Sequence, residues 1–464
     1  MLISEAASKI GGELVGADVR FTSASIDTRT IKKGDLFIAL RGPNFDGHEY
    51  LDVAKEQGAV AALVSKPVKS DLPTITVKDT RASLGMLSAI WRDQFKLSSV
   101  AITGSCGKTT VKEMVASILS LQGNTHYTKG NFNNDIGVPL TLLDLSEQHQ
   151  YAVIELGANH LGEIAYTVEL AQPDVAVITN AGEAHIEGFG SKDNVAKAKG
   201  EIFQGLSAQG VAVLNKDDDY YEYWQTLVTD SQQASFSLDA KNADYFGSDF
   251  IVNAKGQYCF VLNVNGDKES KESSSIEIAL PLLGRFSVLN AIASAAVAYS
   301  VGASLENIKK GLEGIKPIRG RLYPESVSGY HIIDDSYNAN PISIRAAIDL
   351  LSEVPGANCL VLGDMGELGV HSPSLHREVG SYAAESGIEL LLVKGKYASD
   401  YLVGFTTHKS EAQRGVGLDT HAEIVRFIMD EVSDSTILIK GSRSASMEKV
   451  IEILKQHNDS EGQG

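Results

Sequence analysis

Val100-Ala101-Ile102-Thr103-Gly104-Ser105-Cys106-Gly107-Lys108-Thr109-Thr110 is the stretch that decides the fold. An apolar run, two glycines and a Lys-Thr-Thr triplet in that order predict a strand, a tight loop and a helix opening near Val111. Such a loop binds phosphate: glycines let backbone N–H groups turn inward around phosphate oxygens, Lys108 neutralises charge, and the Thr109 hydroxyl can reach a bound Mg²⁺. Gly104, Ser105, Cys106, Gly107, Lys108, Thr109 and Thr110 are therefore candidate phosphate-binding residues. The general signature asks for one more glycine, at the position of Ile102. The bland alternative is a glycine turn beside a surface lysine.

Outward from this loop the strand, turn and helix pattern repeats, with strands predicted at Tyr151 to Leu156, Val175 to Thr179 and Val211 to Leu214. That alternation implies a mostly parallel, doubly wound sheet with ligands at the carboxyl ends of its strands. Shorter runs at 36–40, 59–64 and 74–77 make a small α/β unit before it. A third series, at Tyr330 to Asp334, Cys359 to Gly363, Leu390 to Lys394 and Thr436 to Lys440, follows the Lys316-Pro317-Ile318-Arg319-Gly320-Arg321 junction. The expected class is α/β in three domains, 1–83, 84–314 and 315–464. Residues 265–276 are expected to form a solvated hairpin loop and 457–464 a frayed tail.

Composition bounds the function. The 464 residues are 43% hydrophobic and 22% charged, as in globular chains. A formal charge of −18 repels polyphosphate backbones and anionic membranes, so any anionic ligand must be caught locally. Three scattered cysteines suit neither a disulfide framework nor a zinc site. The first residues lack a basic segment before an apolar one, and the apolar stretch 288–303 is too short and interrupted for a membrane span. A cytoplasmic monomer that binds neither nucleic acid nor membrane is expected.

The shortened loop resembles that of the Mur ligases, amide-forming enzymes of peptidoglycan synthesis. Asn131-Phe132-Asn133-Asn134-Asp135-Ile136-Gly137-Val138-Pro139, Glu155-Leu156-Gly157-Ala158-Asn159 and Thr179-Asn180-Ala181-Gly182-Glu183-Ala184-His185 extend the resemblance through the central domain. Asp334-Asp335-Ser336-Tyr337-Asn338-Ala339-Asn340-Pro341 resembles the member that adds the terminal dipeptide. The Asp-Asn-Pro-Arg tetrapeptide of the sister adding the third amino acid is missing from the sequence.

The resemblance implies ATP-dependent joining of D-alanyl-D-alanine to UDP-N-acetylmuramoyl-tripeptide through an acyl phosphate, with ATP and Mg²⁺ required. It implies that the loop residues bind ATP, joined by Asn290 on the apolar helix and by Arg321 and Asp335, which close over the nucleotide. Thr109, Glu155, His185 and Lys199 are the implied metal ligands, Lys199 after carbamylation turns its ammonium into an anionic oxygen donor. Lys108, His185 and Lys199 are the implied catalytic set. Ser25, Thr28, Arg29, Gly47, His48, Asn133 and Asn134 are the implied contacts of the UDP substrate. One departure stands at Phe286-Ser287, where the family often has His-Asn.

Within the superfamily the alternatives are the ligase adding the third amino acid and the folylpolyglutamate synthase type. Outside it stand a P-loop kinase or GTPase and a protein holding ATP as a structural ligand. Asn215-Lys216-Asp217-Asp218 carries only the first two residues of a guanine-reading Asn-Lys-x-Asp run and reads as a turn.

Overall fold

A computed structural model describes residues 1–265 and 273–461. The Ser98–Thr103 strand runs inside a nine-stranded sheet, parallel to Tyr151–Glu155 on one side and Val175–Ile178 on the other. Val100 and Ile102 enter a core with the helices Lys108–Leu119 and Arg285–Ser300, while Ala101 faces a second core with Val138, Ile164 and Val195. Helices on both faces explain why the strand is apolar throughout rather than alternating. The carboxyl ends of the three neighbouring strands put the phosphate loop, Glu155 and Thr179 at one edge.

Four more strands prolong the sheet beyond Val211–Asn215, and the last two, Gln257–Val264 and Ser274–Leu283, are antiparallel. Periodicity at the parallel strands gives no hint of this extension. Its strand Gln257–Val264 alternates buried and half-buried positions, the mark of a sheet with only one face on a core. Of the expected loop 265–276, residues 266–272 lie outside the described residues, and Ser274 onward is strand.

A five-stranded sheet spans Glu13 to Thr76, and a six-stranded sheet spans Tyr323 to Lys440. In the latter only the edge strand Tyr323–Val327 is antiparallel. The expected boundary after residue 83 is corrected, because it falls inside the helix Thr80–Arg92. Asp79 caps that helix, and its Leu84, Leu87 and Trp91 share one core with Leu142 and Ile164 of the central layer. Trp91 Nε1 also donates to Leu145 O across that contact. The expected tail is corrected too: the backbone is helical from Glu448 to Glu461, and 462–464 lie outside the described residues. Among the described residues no helix is long and apolar enough to cross a membrane.

The central and carboxyl-terminal sheets meet along the helix Pro341–Glu353. A Cβ on Gly182 would sit 1.7 Å from Ile342 Cδ1, and Tyr258 Oη of the antiparallel extension donates to Glu353 Oε2 at 2.8 Å. The segment 314–322 between Glu313 and Tyr323 links the two layers.

Candidate active site

The helix after the phosphate loop begins at Lys108 rather than near Val111, so Lys108, Thr109 and Thr110 lie in its first turn, where N–H groups lack intrahelical acceptors. Gly107 makes that entry possible at φ 84°, and a Cβ there would lie 2.4 Å from Asn290 Oδ1. Gly104 is equally constrained, its Cβ position being 1.9 Å from Thr179 Oγ1. The loop is fixed from the neighbouring strand: Asn180 Oδ1 accepts from Cys106 N at 2.9 Å, and Thr179 Oγ1 donates to Cys106 O at 2.6 Å. Ser105 and Gly182 exchange two further hydrogen bonds.

A cavity of about 310 Å³ opens here, lined by the loop from Ser105 to Thr110 and by Asn133, Glu155, His185, Asn290, Arg321 and Asp335. Arg321 Nη2 donates to Thr109 Oγ1 at 3.0 Å, Thr109 donates to Glu155 Oε2 at 3.0 Å, and Asn133 Nδ2 donates to Glu155 Oε1 at 2.8 Å. Residues from three distant parts of the chain thus converge on one hydroxyl and one carboxylate. Lys108 Nζ donates to Gly104 O at 2.6 Å, and burial pushes its pKa down. Burial likewise raises the Cys106 thiol, so it is a poor nucleophile.

Several further residues stand at the site beside those expected from the sequence. Cys106 Sγ lies 3.3 Å from Asn340 Oδ1, the side chain that caps the helix Pro341–Glu353. His185 and Glu367, both at left-handed φ, meet through His185 Nδ1 and a Glu367 carboxylate oxygen, and Glu367 O accepts from Glu187 N at 3.1 Å. The contact with His185 holds the Glu367 carboxyl below its usual range. Lys440 Nζ donates to Asp335 Oδ2 at 2.5 Å and to Asn338 O at 2.8 Å. The only sequence cue to Lys440 is that it closes its strand directly after the apolar run Ile437-Leu438-Ile439, and parallel pairing brings it opposite Asp335. Asp335 Oδ1 also accepts from Leu322 N at 3.1 Å, so both carboxylate oxygens are engaged by the protein.

Lys199 lies outside the lining of the cavity. It is buried, its ammonium 5.6 Å from the Phe189 ring centroid, and it forms no ion pair among the described residues. Desolvation first, and then repulsion from Lys108, push its pKa down to about 7. Lys197, two residues earlier, is exposed.

The residues taken as UDP-substrate contacts do not gather in this cavity, Asn133 excepted. Arg29 is exposed and forms a two-toothed pair with Asp27. Ser25 is buried and accepts from Asp27 N, and Thr28 is half-buried beside it. The His48 ring is enclosed: Nδ1 meets Asp46 Oδ1 at 2.5 Å, Nε2 accepts from Ser65 N at 2.9 Å, and the side chain is 2% exposed. Gly47 is similarly enclosed, its N–H donating to Leu40 O. Asn134 Oδ1 accepts from Gly137 N at 2.8 Å at the start of the helix Gly137–Leu143. Asn215, Lys216 and Asp217 form the expected turn, with Asn215 Nδ2 on Thr179 O and Asp217 accepting from Ser237 Oγ and Leu238 N.

Residues 20–92 match the Mur ligase family catalytic domain, 102–298 the Mur ligase middle domain, and 319–443 the Mur ligase glutamate ligase domain. A UDP-N-acetylmuramoyl-tripeptide–D-alanyl-D-alanine ligase from Escherichia coli (strain K12) is 45% identical over 461 residues, covering 98% of both chains. This chain belongs to the Mur ligase family. Among solved Mur ligases, a crystal structure of MurF from Acinetobacter baumannii superposes with a TM-score of 0.88 at 36% identity, again over 98% of both chains. MurF ligase from Thermotoga maritima, solved in complex with ADP, superposes with a TM-score of 0.82 at 27% identity over 95% of this chain and 98% of that one. The chain is thus similar along its whole length to Mur ligases, with the phosphate loop inside the middle domain and Arg321 inside the glutamate ligase domain.

Proposed function

We propose that this chain joins D-alanyl-D-alanine to UDP-N-acetylmuramoyl-tripeptide, with ATP cleaved to ADP and phosphate. The observation that carries the reading is the Arg321, Thr109 and Glu155 relay built across the seam beside a phosphate loop. Relatives similar over nearly the full length bear the name of that activity.

An amide cannot form directly from a carboxylate, whose leaving group is too poor. A carboxylate oxygen of the tripeptide attacks the γ-phosphorus, the bond to the β-phosphate oxygen breaks, and ADP and an acyl phosphate result. The dipeptide amine then attacks the acyl carbon, phosphate leaves from the tetrahedral intermediate, and the amine loses a proton. Both partners of the first step are anions, so Lys108, Arg321 and the inward N–H groups of the loop bind the triphosphate and stabilise charge on the moving phosphoryl group. Asn290, pressed on Gly107, and Asp335 flank the nucleotide.

The donor set suits Mg²⁺, because the Thr109 hydroxyl and Glu155 carboxylate are adjacent hard oxygens on the same cavity as His185. Thr109 and Glu155 would hold one Mg²⁺, and His185 with a carbamylated Lys199 would hold a second. When bound, Mg²⁺ screens the incoming carboxylate from the phosphate anions. An unpaired, buried amine with its pKa near neutrality is a fit substrate for carbamylation, since the neutral form adds CO₂ and loses a proton. Ser25, Thr28 and Arg29 with the loop at 47–48 and Asn133 and Asn134 remain the proposed UDP-substrate contacts, His48 acting by shaping its loop. The enzyme works as a cytoplasmic monomer of three domains, with breaks near 93–97 and 314–322.

Phosphate release with UDP-N-acetylmuramoyl-tripeptide and ATP, with and without D-alanyl-D-alanine, tests the reading. Release should depend on the dipeptide. Release that ignores the dipeptide, or that instead follows addition of a third amino acid to the UDP-dipeptide, overturns it.

A further inference from the structure

We propose that Asp334 and Tyr337 are positioning residues of the reaction, which hold the link between the last two domains so that Arg321 is aimed at the phosphate loop. This rests on the reading of Arg321 as a nucleotide-facing residue and goes beyond it by naming what aims that side chain.

Arg321 sits between two residues at left-handed φ, Gly320 at 75° and Leu322 at 46°. For leucine that conformation is disfavoured by the Cβ and persists only when the surroundings impose it. The surroundings here are two consecutive carboxylates. Asp334 Oδ2 accepts from Gly320 N at 3.1 Å, and Asp335 Oδ1 accepts from Leu322 N at 3.1 Å, so the residues on either side of Arg321 are each gripped through the backbone. Tyr337 N donates to Gly320 O at 3.1 Å, and Arg321 N donates to Ile318 O at 3.0 Å. The Arg321 guanidinium then stacks 4.3 Å from the Tyr337 ring centroid and reaches Thr109.

The grip is anchored in turn. Asp334 Oδ1 accepts from Ser336 N and Ser336 Oγ, and Lys440 holds the other oxygen of Asp335. Asp334, Asp335, Ser336 and Lys440 are all buried. A buried cluster of this kind is a weak source of stability, because desolvation offsets the attraction, but it fixes geometry well. Every bond in it converges on one side chain that crosses the seam. Asparagine at 334 cannot replace the carboxylate, since one of its two termini becomes a donor facing Gly320 N–H or the Ser336 donors.

The test is a double-mutant cycle on the full-length enzyme, reading kcat and KM for ATP with both substrates saturating, alongside the thermal midpoint. Asp334→Asn should lower kcat/KM for ATP at least tenfold, yet less than twofold further in an Arg321→Ala background. Tyr337→Ala should show the same dependence on Arg321, and Tyr337→Phe should recover most of the loss by keeping the ring. If Asp334→Asn does not fold, the tyrosine pair decides. The inference is overturned if Asp334→Asn and Arg321→Ala multiply in full, if Asp334→Asn is wild-type in rate, or if Tyr337→Ala matches Tyr337→Phe. An Arg321→Ala enzyme with unimpaired rate would remove the reading of Arg321 itself, and this inference with it.

Discussion

In the loops of the amino-terminal sheet two side chains find a partner two residues away, Arg29 on Asp27 and His48 on Asp46. At the seam between the central and carboxyl-terminal sheets the partners stand 212 residues apart for Arg321 and Thr109 and 234 for Cys106 and Asn340. The first kind of pair forms from the local chain and leaves Arg29 in solvent. The second exists only when two domains are docked, and it is half-buried, where electrostatic interactions are stronger than in open solvent and an unmatched group is costly. Changes at the seam should therefore strike turnover, and changes in the amino-terminal loops should strike only affinity for the substrate held there.

The largest expected effect is that of Lys108→Ala. Removing one preorganised cation from a developing charge lowers rate by about 10² to 10³, and kcat should fall by that much with circular dichroism unchanged. A folded variant with full turnover would break the comparison at its strongest point.

Lys199→Ala should lose most of its activity, with acetate or formate partly restoring it by filling the vacated oxygen position. Lys197→Ala, on an exposed side chain of the same helix, should change little. An inactive Lys199→Ala that no small carboxylate rescues would leave the lysine a packing role and remove the support for carbamylation.

Lys199 also predicts a dependence of stability on pH. Its folded pKa of about 7 lies below the ordinary lysine value, so between the two the unfolded chain binds more protons and stability rises with pH. The thermal midpoint of wild type relative to Lys199→Met should therefore climb from pH 7 to pH 9 in CO₂-free buffer. A flat difference would mean that the amine is not desolvated as its burial implies.

Arg29→Ala sharpens the other side of the comparison. Loss of its charge-assisted contact with a substrate anion should raise KM for the UDP substrate about tenfold, with kcat and thermal midpoint near wild type. A fall in kcat at constant KM would place Arg29 with the seam instead.

Sequence by itself determined the phosphate loop, because its chemistry is local: strand, glycines, lysine and threonine lie within eleven residues, and their roles follow from backbone geometry. It determined the strand ends at Glu155 and Thr179 for the same reason, since parallel neighbours of an apolar strand finish at one edge. It could not reveal that Thr80–Arg92 belongs to two domains, because an amphipathic helix does not say which core its apolar face enters. Of the antiparallel extension it marked only the hairpin loop at 265–276, because the half-buried alternation of the strands is the weaker signal. Only the tertiary structure decided that His48 is enclosed while Arg29 is exposed, that Lys440 stands opposite Asp335 in its own sheet, and that Asn340 and Glu367 meet Cys106 and His185 across the seam. Those contacts depend on sheet register and domain docking, which are properties of long-range packing and leave no mark in the spacing of residues along the chain.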